Sequence, residues 1–272
     1  MKRLVIKVGT AVLTQDGQLA LDRMANLVEL IAKLKNEKDL EVILVSSGAV
    51  GAGFTSLKLN KKIVANKQAL AAIGQPLLLK HYKKRFKEHN ITCAQMLFIA
   101  DDFDSRKRTK NAQNVMEILL ENKILPIINE NDVIATDELV FGDNDQLAAH
   151  VAYYFNADML AILSDIDGYY NKNPREFDDA VLQKNVFEIS ADELEMKHSA
   201  NSEFATGGIV TKLKAADFLM KRDIPMYLSS GFDLTNAYDF LVDGNHKSGT
   251  IFQVKKFYLW EHQIMLQLFL KS

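Results

Sequence analysis

The chain has 272 residues and is 48% hydrophobic, so it is long and apolar enough to bury a full core. Its 33 basic and 35 acidic side chains nearly balance, which gives no general support for a nucleic-acid-binding or membrane-binding face. No apolar run reaches the roughly 18 residues that span a bilayer, and the start MKRLVIKVGT lacks the features of a signal peptide, so we expect a cytoplasmic protein.

One cysteine and six histidines limit the chemistry of disulfides and metals. Cys93 has no second cysteine to pair with, and its place in the strand-like run 91–98 predicts a buried apolar role. The histidines are scattered and lack the spacing of a zinc site. The sequence therefore predicts neither an internal disulfide nor a dedicated zinc site.

The first predicted strand, residues 4–8 (LVIKV), contains a lysine at an unusual place. A short apolar run that ends at Gly9 and Thr10 is typical of a strand buried on both faces of a parallel sheet. Lys7 inside it costs free energy unless its ammonium group contacts an anion or reaches water. At the carboxyl end of a parallel strand it would face the crevice where such sheets bind ligands. An edge strand whose lysine reaches solvent explains the pattern equally well.

The next elements are a helix and a second strand. Asp22 is placed to cap a helix with an apolar face, and residues 41–45 form a strand that ends in small residues, SSGAVGAG at 46–53. Small residues after a strand let a substrate approach the backbone closely, and Ser47 offers a hydroxyl group there. A tight strand-to-helix turn would use the same residues.

Further alternation of helices and strands follows. Residues 61–74 and 75–90 are predicted as two helices, the second with a basic cluster interpreted as a solvated face. A strand (92–98), a helix (109–122) and a strand (125–128) come next. This alternation predicts an α/β fold with a mostly parallel sheet and right-handed crossovers. Without repeats or low-complexity linkers, one domain is preferred over two.

Polar side chains directly follow the predicted strand 125–128. Asn129, Glu130, Asn131 and Asp132 suit a polar substrate such as an amino acid, although Asn and Asp also favour loops. After a short hairpin or lid at 133–140, Asp145 falls near the start of a helix over 146–155. It is an N-cap, a carboxylate that holds lysines, or part of a magnesium site.

The strand 159–163 is followed by Ser164 and Asp165, which could receive a ribose and base, whereas the next Asp-Gly pair favours a turn. The run ATGGIVTKLKAA then predicts a glycine-hinged loop and a helix whose amino end suits a phosphate. Lys212 lies one turn inside that helix and could reach back toward such a ligand. An ordinary loop and helix with a solvated lysine is the alternative.

A strand (226–229), a short helix and a closing strand (250–254) precede an apolar tail, 255–272, that would serve as a docking helix or oligomer contact.

Taken in order, VIKVGT, VSSGAV, INEND, GDND, SDIDGYY and ATGGIVTKLKAA resemble the amino acid kinase family, and within it the branch that phosphorylates glutamate. The resemblance covers residues 3–253. It implies a three-layer α/β/α sandwich around a mostly parallel open sheet in residues 1–254. It also implies ATP- and Mg²⁺-dependent phosphorylation of the side-chain carboxylate of L-glutamate to L-glutamyl 5-phosphate, the first step of proline biosynthesis.

By the same resemblance, Lys7 and Lys212 meet the phosphates of ATP and the transferred phosphoryl group, while Asp145 positions both lysines. The substrate-binding positions implied are Ser47, Asp132 and Asn144. The implied nucleotide-binding positions are Lys7, Ser164, Asp165, Thr206, Gly207, Gly208, Ile209, Val210, Thr211 and Lys212. The implied partners are proline as a feedback inhibitor, further copies of the chain in a dimer or tetramer, and glutamyl phosphate reductase through functional coupling.

The sequence departs from the family pattern in places. Many members of this branch carry a C-terminal PUA domain, and residues 255–272 are too few to form one, so we expect none. Ser164 replaces the usual threonine, and Asn173 replaces a common aspartate. Competing interpretations are a family member acting on N-acetylglutamate, aspartate, carbamate or a nucleotide, and a non-catalytic amino-acid sensor or RNA-associated protein. The motifs favour free glutamate, and retention of both lysines and Asp145 argues for catalysis.

Overall fold

The computed structural model describes residues 1–135, 144–174, 176–195 and 208–255. In this part of the chain the helices are α1 (Thr10–Leu13), α2 (Leu21–Asn36), α3 (Ala49–Ser56), α4 (Val64–Glu88), α5 (Asp101–Asp104), α6 (Arg106–Glu121), α7 (Asn144–Tyr154), α8 (Ala191–Glu195), α9 (Gly208–Met220) and α10 (Thr235–Leu241). The strands are β1 (Arg3–Val8), β2 (Thr14–Gln15), β3 (Gln18–Leu19), β4 (Glu41–Ser46), β5 (Cys93–Phe98), β6 (Leu125–Glu130), β7 (Met159–Ser164), β8 (Asn185–Val186), β9 (Met226–Ser230) and β10 (Thr250–Phe252). None of these described helices is long and apolar enough to cross a bilayer.

Within the described residues, eight strands form a sheet in the order β5-β6-β4-β1-β7-β9-β10-β8. Neighbouring strands are parallel except for β9 and β10, which pair antiparallel. β2 and β3 form a separate small hairpin. The predicted mostly parallel sheet is confirmed, and β1 lies near its centre, so the edge-strand explanation of Lys7 is wrong.

The sheet separates two apolar cores because successive side chains of a strand point to opposite faces. Leu4, Ile6 and Val8 of β1 join a core formed with α2 and α4. Val5 joins the other core, with residues of α6, α7 and α9. Helices therefore cover both faces, which confirms the predicted three layers, and the alternation puts Lys7 on the same face as Val5.

The helix α4 corrects the prediction of two helices over 61–74 and 75–90. It runs without interruption through Pro76. A proline inside a helix loses one backbone hydrogen bond and costs about 3 kcal/mol. Buried side chains on both sides of it, Leu70 and Leu78 among them, offset that cost by packing into the interior. Tertiary packing therefore overrides the local break signal.

Two glycines let α3 and α4 pack in close contact. A Cβ added at Gly74 would lie 1.7 Å from the carbonyl oxygen of Ala49, and one at Gly53 would lie 1.9 Å from that of Leu70. No side chain fits such a distance, so the two helix backbones touch. This contact fixes the loop after β4, where the small residues around Ser47 were predicted to admit a substrate.

Smaller differences concern single residues. Asp22 is not a cap, since α2 is capped by Ala20 and Asp22 lies in its first turn. Cys93 is half-buried rather than buried, and burial raises the pKa of its thiol to about 12. The basic face of α4 is solvated, as predicted, at Lys80, Lys83, Lys84 and Lys87.

Most of the predicted lid at 133–140, the loop before Gly208 and the tail after Lys255 lie outside the described residues.

Candidate active site

Lys7 is buried at the carboxyl end of β1 and has an anionic partner. Its side chain is 2% exposed, and its Nζ lies 2.5 Å from Oδ1 of Asp145. Of the two alternatives that the sequence left for the Lys7 ammonium group, an anion or water, the structure shows the anion. The partner comes from α7, which covers the face of the sheet to which Lys7 points.

Asp145 holds two lysines that are far apart in sequence. Its carboxylate is fully buried in the first turn of α7, so it is not the N-cap of a helix starting at residue 146. Oδ2 accepts hydrogen bonds from Nζ of Lys212 at 3.1 Å and from Oγ1 of Thr211 at 3.0 Å. Two ammonium groups against one carboxylate leave an excess positive charge in this trio, which suits an anionic ligand.

Lys212 lies one turn inside α9 and is buried like Lys7. Its Nζ also donates to the carbonyl oxygen of Gly208 at 2.9 Å, so the side chain turns back toward the amino end of its helix. Nε2 of Gln146 donates to the carbonyl oxygen of Thr211 at 2.9 Å and ties α7 to α9. These contacts give Lys212 one position and exclude the solvated lysine that the sequence left open.

Asn144 connects the ends of two neighbouring strands. Its Nδ2 lies within hydrogen-bond distance of the carbonyl oxygen of Ser46 (3.0 Å), Oγ of Ser47 (3.0 Å) and Oδ1 of Asn129 (2.8 Å). Ser46 also contacts the buried hydroxyl group of Tyr82 at 2.9 Å, and burial raises the pKa of that phenol. The ends of β4 and β6 are thus joined by neutral polar groups next to the lysine pair.

On the other side of β1, Ser164 is the last residue of β7 and Asp165 follows it. Oγ of Ser164 is buried and donates to Oδ1 of Asp165 at 2.9 Å, while Asp165 itself is exposed. The backbone amide of Gly9 donates to the carbonyl oxygen of Leu163 at 3.1 Å and keeps this edge next to Lys7. A polar edge that faces solvent lies here beside the two buried ammonium groups.

One cleft of about 700 Å³ brings most of the predicted residues together. Its lining includes Lys7, Ser47, Asp132, Asn144, Ser164, Asp165, Gly208 and Lys212. Asp145 lies behind the two lysines. Ile209 packs against the core instead of lining the cleft, and Val210 is not part of the lining. Thr206 and Gly207 lie outside the described residues.

Sequence reasoning missed several residues of this cleft. Thr10, Lys61, Lys67 and Gln68 also line it. Thr10 stands in the VIKVGT motif, which gave a signal, but the lysines were placed in a predicted helix and gave none. They come from the corner between α3 and α4, and only the packing of these helices brings that corner over the strand ends.

The donor set does not form a protein-only magnesium cage. Within the described ranges, no three His, Cys, Asp or Glu side chains cluster to hold a metal ion. Both carboxylate oxygens of Asp145 face lysine ammonium groups, which leaves it unsuited to be a metal ligand. Mg²⁺ often binds through substrate phosphates, water and only one or two carboxylates. The cleft would suit an ion of this kind, and Asp165, whose carboxylate is exposed after β7, is a side chain that could contact it.

Comparison with known proteins identifies the family of this chain. The pattern described as "Amino acid kinase family" matches residues 2–230. The chain therefore belongs to the amino acid kinase family, which confirms the resemblance inferred from its motifs.

Within the family, the chain is similar to glutamate 5-kinases. That of Wolinella succinogenes is 57% identical over 256 residues, which cover 93% of this chain and 98% of that protein. That of Leishmania donovani is 53% identical and covers 93% and 95%. That of Caldanaerobacter subterraneus is 43% identical, and the match spans 92% of this chain but 67% of that protein.

Solved structures share the fold at low identity. Carbamate kinase from Giardia lamblia bound to AMP-PNP gives a TM-score of 0.64 at 17% identity and covers 93% of this chain and 99% of that one. UMP kinase from Bacillus anthracis gives 0.63 at 14% and covers 93% and 96%. At such identities the comparison establishes the architecture alone, and it agrees with the predicted α/β/α sandwich.

Proposed function

We propose that the chain transfers the γ-phosphoryl group of ATP to the side-chain carboxylate of L-glutamate, giving L-glutamyl 5-phosphate and ADP in the first step of proline biosynthesis. The observation that carries the proposal is the pair of buried lysines on one carboxylate: Lys7 and Lys212 both contact Asp145 at the edge of the cleft. The similarity to glutamate 5-kinases supports glutamate as the acceptor.

The chemistry requires positioning and positive charge more than a base. A glutamate carboxylate has a pKa near 4.3, so it is already ionised at neutral pH and can attack directly. The barrier lies in bringing this anion to the phosphates of ATP and in stabilising charge on the migrating phosphoryl group. Lys7 and Lys212 supply two ammonium groups there, and Asp145 holds both in place.

The strand order suggests how the two substrates divide the cleft. β4 and β6 lie on one side of β1, and they carry Ser47, Asn129 and Asp132 at their ends. β7 lies on the other side and carries Ser164 and Asp165. We therefore assign the first side to glutamate, as the acceptor half, and the second side to the nucleotide. The amino end of α9 at Gly208 then faces the phosphates with open amides.

Mg²⁺, when bound with ATP, would neutralise phosphate charge and help to hold the γ-phosphoryl group in line. Asp165 is the residue we propose for a direct or water-mediated contact to it, because this carboxylate is exposed on the nucleotide side. Lys7 and Lys212 neutralise the remaining phosphate charge, and Ser164 keeps Asp165 oriented by its hydrogen bond.

An acceptor panel tests the proposed function. ADP release is measured in a coupled assay with Mg²⁺ and ATP, and the acyl phosphate is trapped with hydroxylamine. L-Glutamate is expected to give the hydroxamate with the highest kcat/KM among glutamate, N-acetylglutamate, aspartate, carbamate and UMP. A preference for another acceptor would contradict the assignment. ATP turnover that does not depend on any acceptor would favour a sensor.

The role of the lysine pair is tested at Lys212 with a matched control on the same helix. Lys212→Met keeps the stem but removes the ammonium group, and turnover should fall on the order of a hundredfold or more, as for loss of one charge-stabilising donor. Lys214→Met changes an exposed lysine two residues away and should leave turnover unchanged. Near-normal turnover of Lys212→Met would refute the proposed role.

The resemblance adds further proposals for the assembled enzyme: inhibition by proline, a homodimer or homotetramer, coupling to glutamyl phosphate reductase, and a cytoplasmic location. Proline resembles the backbone of glutamate, so it would compete for the acceptor half of the cleft. Repeating the coupled assay with added proline and measuring the mass in solution test the first two proposals. An uninhibited enzyme or a monomer would contradict them.

A further inference from the structure

A pair of lysines at the edge of the cleft is not explained by phosphoryl transfer. Lys61 precedes α4 and Lys67 lies in its first turn, and both line the cleft. We call this pair the lysine rim. α4 adjoins the acceptor half, because Nε2 of Gln75 on this helix lies 3.4 Å from the carbonyl oxygen of Glu130 at the end of β6. The rim is therefore on the glutamate side of the cleft.

Lys61 is held at this place by an aromatic ring. Its Nζ lies 3.9 Å from the ring centroid of Phe54, which belongs to the last turn of α3. A cation over a ring face gains about 0.5–1 kcal/mol at exposed sites. The contact restricts the side chain before any ligand binds, which lowers the entropy cost of ordering it. Lys58 lies over the same ring at 4.2 Å but does not line the cleft.

The charges of the acceptor half match the head group of an amino acid. Glu130 and Asp132 line it with two carboxylates, and the lysine rim adds two ammonium groups. Glutamate carries a positive α-amino group and a negative α-carboxylate in addition to the carboxylate that reacts. The carboxylates suit the α-amino group. A cation for the α-carboxylate has to lie away from Lys7, because the two carboxylates are at opposite ends of the substrate.

We propose that the lysine rim, Lys61 and Lys67, binds the α-carboxylate of the acceptor and so determines which acceptors the enzyme prefers. This inference rests on the proposed function. Acceptors without an α-carboxylate would forfeit this contact. The rim is a specificity determinant and does not touch the reacting atoms. Its contribution should be made equally in the ground state and the transition state, so it should appear in KM and hardly in kcat.

The alternative is that Lys61 only covers Phe54 with its methylene stem. Methionine separates the two roles, because it keeps an apolar stem on the ring and removes the charge. We therefore compare Lys61→Met, Lys67→Met and the double variant with Lys58→Met. The last variant loses a charge from the same ring outside the cleft and is the matched control.

The expected result is a rise of about tenfold in the KM for L-glutamate in each single rim variant, with kcat within about threefold of the parent. The double variant should rise further, and Lys61→Arg should keep most of the parent affinity. Lys58→Met should remain within about twofold of the parent. Thermal unfolding of each variant shows whether the fold is intact.

Two acceptor analogues make the test specific. Glutarate keeps both carboxylates but lacks the α-amino group, whereas 4-aminobutyrate keeps the amino group but lacks the α-carboxylate. Hydroxamate formation from each is measured as kcat/KM, or competition with glutamate as an inhibition constant. The rim variants should lose about tenfold with glutamate and glutarate and should be unchanged with 4-aminobutyrate.

Two outcomes would overturn the inference. A double variant whose KM for glutamate stays within about twofold of the parent would show that the rim does not bind the acceptor. Equal losses with glutamate and 4-aminobutyrate would show general damage instead of recognition of the α-carboxylate. A different result would contradict the proposed function itself: a parent chain that does not phosphorylate glutamate, whatever the rim variants do.

Discussion

Replacement of Asp145 by asparagine is the sharpest perturbation of this site. Asparagine has the same size and still offers one oxygen, but it removes the negative charge that Lys7 faces at 2.5 Å and Lys212 at 3.1 Å. Both lysine side chains are almost completely buried. Removing one partner from a buried ion pair costs about 3–5 kcal/mol, because it leaves an uncompensated charge inside the protein. We expect Asp145→Asn to lose that much of the free energy of unfolding.

This loss is large against the roughly 5–15 kcal/mol that stabilise an ordinary domain. Urea unfolding followed by circular dichroism measures it. The matched control is Asp178→Asn, which makes the same chemical change at an exposed carboxylate and should stay within about 0.5 kcal/mol of the parent. Turnover of Asp145→Asn should also fall on the order of a hundredfold, because the lysines lose the carboxylate that positions them.

Added nucleotide gives a second readout. The phosphates of Mg-ATP bring negative charge to the same lysines, so saturating nucleotide should stabilise Asp145→Asn more than it stabilises the parent. The reasoning would be refuted by a variant whose unfolding free energy lies within about 1 kcal/mol of the parent and whose turnover stays within about tenfold. Such a result would mean that the lysines find other anions or stay charged without one.

Three further predictions concern the fold around the site. Gly74→Ala places a Cβ 1.7 Å from the carbonyl oxygen of Ala49, so we expect it to lose about 3 kcal/mol or more by urea unfolding; a stable variant would contradict the close helix contact. Burial lowers the pKa of His150 below its ordinary 6.5, so the neutral ring is favoured in the folded state. The contribution of the neutral His150 ring to stability should be complete above about pH 6.5 and be lost as the pH falls below it. His150→Phe should therefore flatten the dependence of the free energy of unfolding on pH over that range, and an unchanged slope would exclude His150 as the cause of that dependence. Arg3 donates to both carboxylate oxygens of Glu117 at 2.8 Å and to Glu41 at 2.8 Å, and Arg3→Met should cost about 2–3 kcal/mol by thermal unfolding, less than a fully buried pair because Glu117 is partly exposed; a loss below about 1 kcal/mol would show that these ion pairs are replaceable.

The sequence predicted most strands of the large sheet and most of the longer helices, because their signals are local. Most of the site residues were instead proposed from the family resemblance. Apolar runs predicted β1 and β7, the first of them closed by Gly9, and an apolar helical face predicted α9. Lys7 was recognisable because a charged side chain in a buried strand needs a partner. Asp145 was recognisable only as one of three alternatives, since a carboxylate at the start of a helix has a common local explanation.

The sequence failed where packing outweighs a local preference. The sequence was interpreted as two helices that meet between residues 74 and 75, and α4 nevertheless continues, even through Pro76, because its two halves pack into the same protein interior. Asp22 is a good capping residue, but the helix begins at Leu21, two residues before the start that a cap at Asp22 implies, and its N-cap Ala20 makes no side-chain hydrogen bond. Both errors concern boundaries, which depend on a few kcal/mol that distant contacts supply.

The amino-acid sequence by itself determined the alternation of strands and helices and the polar residues at the strand ends, because each is written in the spacing of a few neighbours. The family resemblance implied that Asp145 positions Lys7 and Lys212, but only the tertiary structure brought these three side chains into contact and placed Lys61 and Lys67 at the same cleft. Lys212 is 67 positions from Asp145 and Lys7 is farther still, while Lys61 and Lys67 belong to a corner set by helix packing, and no local pattern encodes a distance between these residues. The physical reason is that parallel strands bring their carboxyl ends to one edge of the sheet, while the close contact of α3 and α4 fixes what covers that edge.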